Sequence, residues 1–380
     1  MVSRLSPQIP IPRRRWRGNQ GRDAGNQTKR QNLQAMQTPG RILIIRLSSL
    51  GDILHALPAF NSLRRSFPAA RLDWLVERRH HFLLEAVTGL DNAISIDTSS
   101  PQSRPLELAS WAGLWKTIRH LRSCSYDLSV DFQGLIKTAF LGLLIGARTR
   151  AGFGKSLVWE RPAHWLYSRR LPRGSEDEHV VELNQRLAVS VGAVRSSNQI
   201  EFNEAPETAD GIDKQLARLQ LRDFVIINPG GGWPTKRWSP ERYGLLAERI
   251  TRGLGCQVAV TTGPGEDRLF HEISRACGVR IHDFPVTFLE LIPLIRRCRL
   301  VVGGDTGPFH LACALGAPVV GIFGPTSPSR NGPWSSADRC VVRRLPCSFC
   351  YGRKCPTQNE CMDIPVDEVF ASVSARLEPL

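Results

Sequence analysis

The chain has 380 residues, 42% of them apolar and 22% charged, with a formal net charge of +15. That length suits two ordinary domains, each with its own core, and the composition is normal for a globular protein. No apolar run approaches the roughly 18 residues of a membrane span. AFLGLLIGA at 139–147 is too short, and no apolar segment follows the basic N-terminus as a secretory signal requires, so the expected location is the cytosol.

Residues 1–40 hold eight Lys or Arg and one Asp among many Gln, Asn, Gly and Pro. Such a stretch cannot bury enough surface to fold and is expected to be a disordered basic tail. Its two readings are electrostatic attachment to an anionic membrane or nucleic acid, and a dispensable extension ahead of Met36. From residue 41, short β-branched runs alternate with helical spacing: RILIIR (41–46), RLDWLV (71–76), NAISID (92–97) and YDLSVDF (126–132). This is βαβ patterning with a parallel sheet. A helix is expected over 177–191, and the polar stretch 203–222 marks a domain boundary. The alternation restarts with FVIIN (224–228), QVAVTT (257–262), VRIHD (279–283), LVVGG (300–304) and PVVGIF (318–323). Two doubly wound halves place ligands at the carboxyl ends of strands, which directs attention to the loops after Arg46, Asn228, Thr262, Gly304 and Phe323.

Three of those loops carry chemistry. RLSSLGDILHALP (46–58) ends a strand in Ser48, Ser49 and Gly51, then places Asp52 at a helix start. A carboxylate there is either a helix cap or a reactive group, because the same amides would favour an anionic ligand. His55, one turn later, suits a surface or a satisfied core position. NPGGGWPTKRWSPERY (228–243) joins a glycine-rich turn to a Lys-Arg pair and a capped helix, a set of donors and charge that fits a diphosphate or else a solvated loop. It has neither the P-loop nor the dinucleotide spacing, which argues against a nicotinamide-dependent dehydrogenase. VVGGDTGPFHLACALGAPVVGIFGPTSP (301–328) sets Asp305, Thr306 and Gly307 ahead of a helix that carries His310.

LSSLGDILHALP, LDWLVE, VDFQGLIK, NPGGGWPTKRWSPE and GGDTGPFHLACALGAPVVGIFGPTSP together resemble the ordered motifs of the family-nine glycosyltransferases, the bacterial lipopolysaccharide heptosyltransferases, over residues 41–330. The N-terminal half is most similar to heptosyltransferase I, the branch that adds the first heptose to the Kdo of the inner core. The resemblance implies an α/β chain of the GT-B fold, two Rossmann-like doubly wound domains facing across a cleft. It implies an acceptor domain at 41–205, a nucleotide-sugar domain at 206–365 and a last segment, 366–380, crossing back to the first domain.

The same resemblance implies ADP-heptose as donor, a Kdo-lipid A type acceptor, no required cofactor or metal, and peripheral contact with the anionic inner membrane at its cytosolic face. By position it makes Asp52 the general base and Lys236 the donor-phosphate lysine. Gly231, Gly232, Glu266, Asp305, Thr306, Gly307 and His310 fall to the donor, and Ser49, Gly51, Arg104, Gln133, Lys137 and Arg161 to the acceptor. The segment 347–361 departs from the shortest members: Cys347, Cys350, Cys355 and Cys361 have spacings compatible with a structural zinc, although not those of a standard ribbon. Alternatives are a family member adding a later core sugar to a heptose and, from the charge, a nucleic-acid-binding protein, against which stands the dispersal of the basic residues.

Overall fold

A computed structural model describes residues 38–98, 108–175, 178–263 and 265–378. The expected tail, up to residue 37, and Arg104 lie outside the described residues. The first domain opens with β1 (Arg41–Ile45), in which Ile42, Leu43, Ile44 and Ile45 are all fully buried. A strand apolar on both faces needs cover on both, and the flanking helices supply it. Its main elements are β1, α1 (Leu50–Ser66), β2 (Arg71–Glu77), β3 (Asn92–Ile96), α2 (Leu108–Ser123), β4 (Leu128–Asp131), α3 (Ile136–Ile145), β5 (Thr149–Phe153), β6 (Arg169–Leu171) and α4 (Val180–Ser190), with a one-turn helix, His81–Glu85, between β2 and β3. The strands pair in parallel in the order β3-β2-β1-β4-β5-β6. Helices α1 and α4 pack together over one face. On the other face, α2 and α3 bury Ile118, Leu121, Leu141 and Ile145 against Leu43 and Ile45.

The second sheet comprises β7 (Phe224–Asn228), β8 (Gln257–Val260), β9 (His282–Asp283), β10 (Leu300–Gly304), β11 (Val319–Phe323) and β12 (Arg339–Val342), with α5 (Pro240–Leu254) after β7 and α6 (Gly307–Leu315) after β10. Its order is β12-β11-β10-β7-β8-β9, again all parallel. Counted from its own first strand, this is the topology of the first sheet. The strand order reverses between β1 and β4 and between β7 and β10, so each sheet has a switch point where the loops after those strands diverge.

The domains meet through α1 and α6, which pack against each other. One apolar cluster runs through that contact, from Ile53, Leu57 and Phe60 to Phe309, Leu311 and Ala312. The last helix, α7 (Val366–Leu377), does not make the expected crossing back to the first domain. It packs against α5 and over β10, β11 and β12. The reason lies in its short apolar stripe. Val369 and Val373, one turn apart, are fully buried in the second core beside Ile364, where Trp238 donates its Nε1–H to the Ile364 carbonyl at 3.1 Å. Pairs of Arg249 with Asp367 and of Arg376 with Asp338 hold the helix there. Among the described residues no helix is long and apolar enough to cross a membrane.

Candidate active site

The loop after β1 turns into α1 with Ser49 as the N-cap and Asp52 in the first turn. Asp52 serves that turn: its Oδ2 accepts from the Ser49 backbone N–H at 3.0 Å and from the Ser49 hydroxyl at 2.7 Å. Its Oδ1 pairs with the Arg46 guanidinium at 2.8 Å, and Arg46 also donates to the Phe132 carbonyl at the end of β4. Burial opposes ionisation of Asp52, but the Arg46 charge and the Ser49 hydrogen bonds outweigh it and hold the carboxyl below its ordinary value. The side chain keeps 39% of its surface exposed. It is therefore a cap and an ionised, reachable carboxylate at once.

On the facing domain, Lys236 follows the glycine-rich turn after β7, and Asp305 follows β10. Lys236 Nζ lies 2.7 Å from Asp305 Oδ2, and Asp305 Oδ1 lies 2.7 Å from His310 Nε2. His310 Nδ1 then meets His55 Nε2 of α1 at 3.1 Å. This chain of four side chains runs from the second domain into the first. Burial would favour a neutral Asp305, yet the hydrogen bond from His310 Nε2 and the Lys236 ammonium hold its pKa far below the usual carboxylate range. Burial and the neighbouring His310 push His55 well down, so it is neutral near pH 7. A carboxylate accepting from His310 Nε2–H leaves His310 Nδ1 to accept from His55 Nε2–H, a tautomer assigned from the network. His55 Nδ1 is then buried without a hydrogen-bond partner.

A cavity of about 910 Å³ opens beside this chain, lined by Ser49, Leu50 and Gly51 from the first domain and by Gly231, Gly232, Lys236, Glu266, Asp305, Thr306 and Gly307 from the second. Two glycines allow the approach. A Cβ on Gly51 would lie 2.8 Å from His310 Cδ2, and one on Gly307 would lie 2.8 Å from Leu50 Cδ2. The N-terminus of α6, with Thr306 as N-cap and Pro308 in its first turn, directs unpaired amides toward the same space. Glu266 accepts from the Gly263 N–H at 2.9 Å and the Gly231 N–H at 3.4 Å, with Arg237 at 3.9 Å. A carboxylate so held can present a free lone pair to a hydroxyl. Val286 and Phe288 give the cavity an apolar wall, and Phe288 meets Phe82 of the first domain with ring centroids 5.9 Å apart.

The profile of glycosyltransferase family 9 (heptosyltransferase) matches residues 114–360. The chain belongs to glycosyltransferase family 9. It is 27% identical over 338 residues to lipopolysaccharide heptosyltransferase 1 of Pseudomonas aeruginosa, covering 84% of this chain and 88% of that one. Among solved structures it is similar to a family 9 glycosyltransferase from Veillonella parvula (TM-score 0.74, 20% identity, 90% of this chain and 99% of that one). It is also similar to the E. coli heptosyltransferase WaaC with ADP (TM-score 0.70, 21% identity, 88% and 99%). At such identities the likeness carries the fold, which is GT-B.

Within this glycosyltransferase the expected acceptor residues divide. Ser49 and Gly51 line the cavity. Gln133, Lys137 and Arg161 are not among its lining residues. Gln133 Oε1 accepts from the Leu47 N–H at 2.8 Å, bracing the loop that carries Asp52. Lys137 Nζ donates to Thr98 Oγ1 at 2.8 Å and sits 3.8 Å from Glu77. Arg161 is exposed, and its carbonyl partners His164. Two residues without an assigned role in the sequence hold key places: Arg46, whose signal was a cation at the end of a buried strand, and His55, one turn from Asp52.

The four C-terminal cysteines line one small pocket. They are free thiols, Cys347 and Cys350 exposed and Cys361 buried. Among the described residues no three His, Cys, Asp or Glu are gathered around a common point for a metal ion.

Proposed function

We propose that this glycosyltransferase moves a heptose from ADP-heptose onto the Kdo of the lipopolysaccharide inner core, with inversion at the anomeric carbon, at the cytosolic face of the inner membrane. One observation carries the reading: the cavity brings Ser49, Leu50 and Gly51, the turn that leads into Asp52, opposite Lys236, Asp305 and the helix N-terminus at Thr306 and Gly307, while Asp52 and His310 stand behind its lining. The names of the relatives give the sugar and the polymer, and the chemistry of the residues fits them.

In this reading the second domain takes the donor. The diphosphate lies against Lys236 and the first amides of α6, the ribose hydroxyls against Glu266, and the base against the Val286 and Phe288 wall. Asp305 faces the heptose hydroxyls. The acceptor hydroxyl oxygen attacks the anomeric carbon as the bond to the diphosphate breaks, and its proton passes to Asp52. The charge that develops on the leaving ADP is met by Lys236 and the helix amides. Arg46 makes Asp52 a weaker base than a free carboxylate, but guarantees that it is ionised and aimed. No step is assigned to a metal.

The test is a transfer assay with ADP-heptose against acceptors truncated to Kdo or ending in heptose. Transfer to Kdo alone supports the reading. Transfer confined to heptose-ended acceptors replaces it with a later core step, and no transfer to either overturns it.

A further inference from the structure

The cleft leaves one conspicuous surface of the first domain unexplained. On α2, Trp111, Trp115, Arg119 and Arg122 follow one another at helical spacing, and all four are exposed. On α3, Ile136, Phe140 and Leu143 form a second exposed stripe, with Phe140 49% accessible. Helix α3 packs against α2 on one side and against the short turn of helix Arg161–Leu166 on the other, so these stripes are neighbours. The turn carries Trp165, 69% exposed, and Trp159 just before it is 71% exposed. Large aromatics are rarely left this open, and a contiguous group of them marks an interaction surface.

Charge says what the surface meets. Residues 108–173 hold eleven Lys or Arg and three Asp or Glu. Of the three acids, Asp131 is buried, Asp127 caps the Gly40 and Arg41 amides, and Glu160 accepts from the Ile136 N–H at 2.6 Å. Helix α2 has no acid on it. Two copies of so positive a face would repel, which disfavours self-association. Tryptophan and phenylalanine ringed by arginine and lysine match the interface of an anionic bilayer, where the rings enter the headgroup layer and the cations meet lipid phosphates.

We infer that the α2–α3 face, with the turn at Trp159–Trp165, docks this enzyme on an anionic lipid surface. The inference rests on the proposed lipid-linked acceptor and adds the surface by which the enzyme reaches it. The placement is apt: α3 begins three residues after Gln133, which hydrogen-bonds the Leu47 amide beside the Asp52 loop. A bilayer touching Ile136 and Phe140 would hold a lipid-anchored acceptor near that loop. Docking here is peripheral, because the rings stand on a folded sheet-and-helix surface that does not itself insert.

The experiment compares the full chain with the double variant Trp115→Ser/Phe140→Ser, with Arg119→Glu, and with Val194→Ser, an exposed apolar residue outside this face. Each is sedimented with vesicles of phosphatidylcholine alone and with vesicles that also contain phosphatidylglycerol, at low and raised salt. Each is also assayed on a water-soluble Kdo acceptor and on the same acceptor in vesicles. The expected result is wild-type binding to the anionic vesicles only, weakened about tenfold or more in the double variant and in Arg119→Glu, and unchanged in Val194→Ser. Activity on the soluble acceptor should be kept by all variants, which also shows that they fold, while activity on the vesicle acceptor falls with binding. Equal binding of the face variants and the wild type overturns the inference, as does wild-type protein that ignores anionic vesicles. A wild-type dimer that the double variant breaks, without change in vesicle binding, also overturns it in favour of a self-association face. Absence of transfer to any Kdo acceptor, with vesicle binding behaving as expected, removes the catalytic reading and leaves the docking surface.

Discussion

His55 of the first domain and His310 of the second touch at 3.1 Å between ring nitrogens, in a pocket where both side chains are buried. Through His310 the contact reaches Asp305 and Lys236, so the seam between domains is wired to the donor side of the cavity. Burial of the pair disfavours a charge on His55.

Its pH dependence follows in sign. Burial and the neighbouring His310 lower the folded pKa of His55, so the unfolded chain takes up a proton more readily than the native one. The contribution is present above the unfolded value of about 6.5 and is lost as pH falls below it toward the lowered folded value. Denaturant titrations between about pH 7 and 5 should therefore show falling stability, with a shallower fall in His55→Gln. His179 and His282, also lowered by burial, leave part of the slope in the variant. An unchanged slope would show that His55 does not titrate across this window. Asp52 and Asp305, held low, contribute stability that is lost only at more acidic pH, through and below the ordinary carboxylate range.

Asp52→Asn should leave ADP affinity near normal and lower turnover about a hundredfold or more, the loss expected of a general base. Calorimetric ADP titration beside a transfer assay separates the two effects. Turnover within a few fold of wild type would remove the catalytic role and leave Asp52 as a cap.

Arg46→Gln tests the tuning of that base. Arg46 lowers the Asp52 pKa, so its removal should raise it toward the ordinary carboxylate range. The acid limb of the kcat/KM profile should then move to higher pH. A limb that stays in place assigns the proton to another group.

These residues were unequally visible in the sequence. Asp52, Lys236, Asp305 and His310 lie in loops or first turns after strands, where glycine, proline and capping residues have local meanings that a linear reading recovers. Their partners are a matter of tertiary packing: Lys236 and Asp305 are 69 residues apart, His55 and His310 255. No local pattern selects such pairs. The edge strands are poorly legible in the sequence for a related reason. VRIHD (279–283) shrinks to His282–Asp283, and Arg169–Leu171 carries two arginines that disguise a three-residue strand. For α7, the Val369 and Val373 stripe announces one apolar face but not which domain receives it.

Lys236→Ala should weaken ADP-heptose binding and slow transfer together, because a phosphate contact acts in both the ground and the transition state. It also strips Asp305 Oδ2 of its ammonium partner, leaving His310 on Oδ1 and a long contact from Asn331 at 3.5 Å. Lys236→Arg should restore part of the affinity, since it keeps the charge but changes the reach. Donor affinity and rate both unchanged in the alanine variant would exclude Lys236 from the site.

The closest test of the seam itself is Gly51→Ala. The added methyl would stand 2.8 Å from His310 Cδ2, a contact real side chains do not keep, so either α1 or the His310 ring must shift. The ring is held between Asp305 and His55, and moving it breaks both hydrogen bonds. Overpacking at a buried seam costs about 1–3 kcal/mol, and here the displacement is aimed at the donor side. We expect ADP affinity and turnover to fall together. Gly211→Ala, in the helix Pro206–Leu219 with open space at the Cβ, is the control and should be neutral or slightly stabilising. A Gly51→Ala enzyme with wild-type donor affinity would mean that the domains part by the needed distance without loss, and that the His55–His310 contact does not position the donor site.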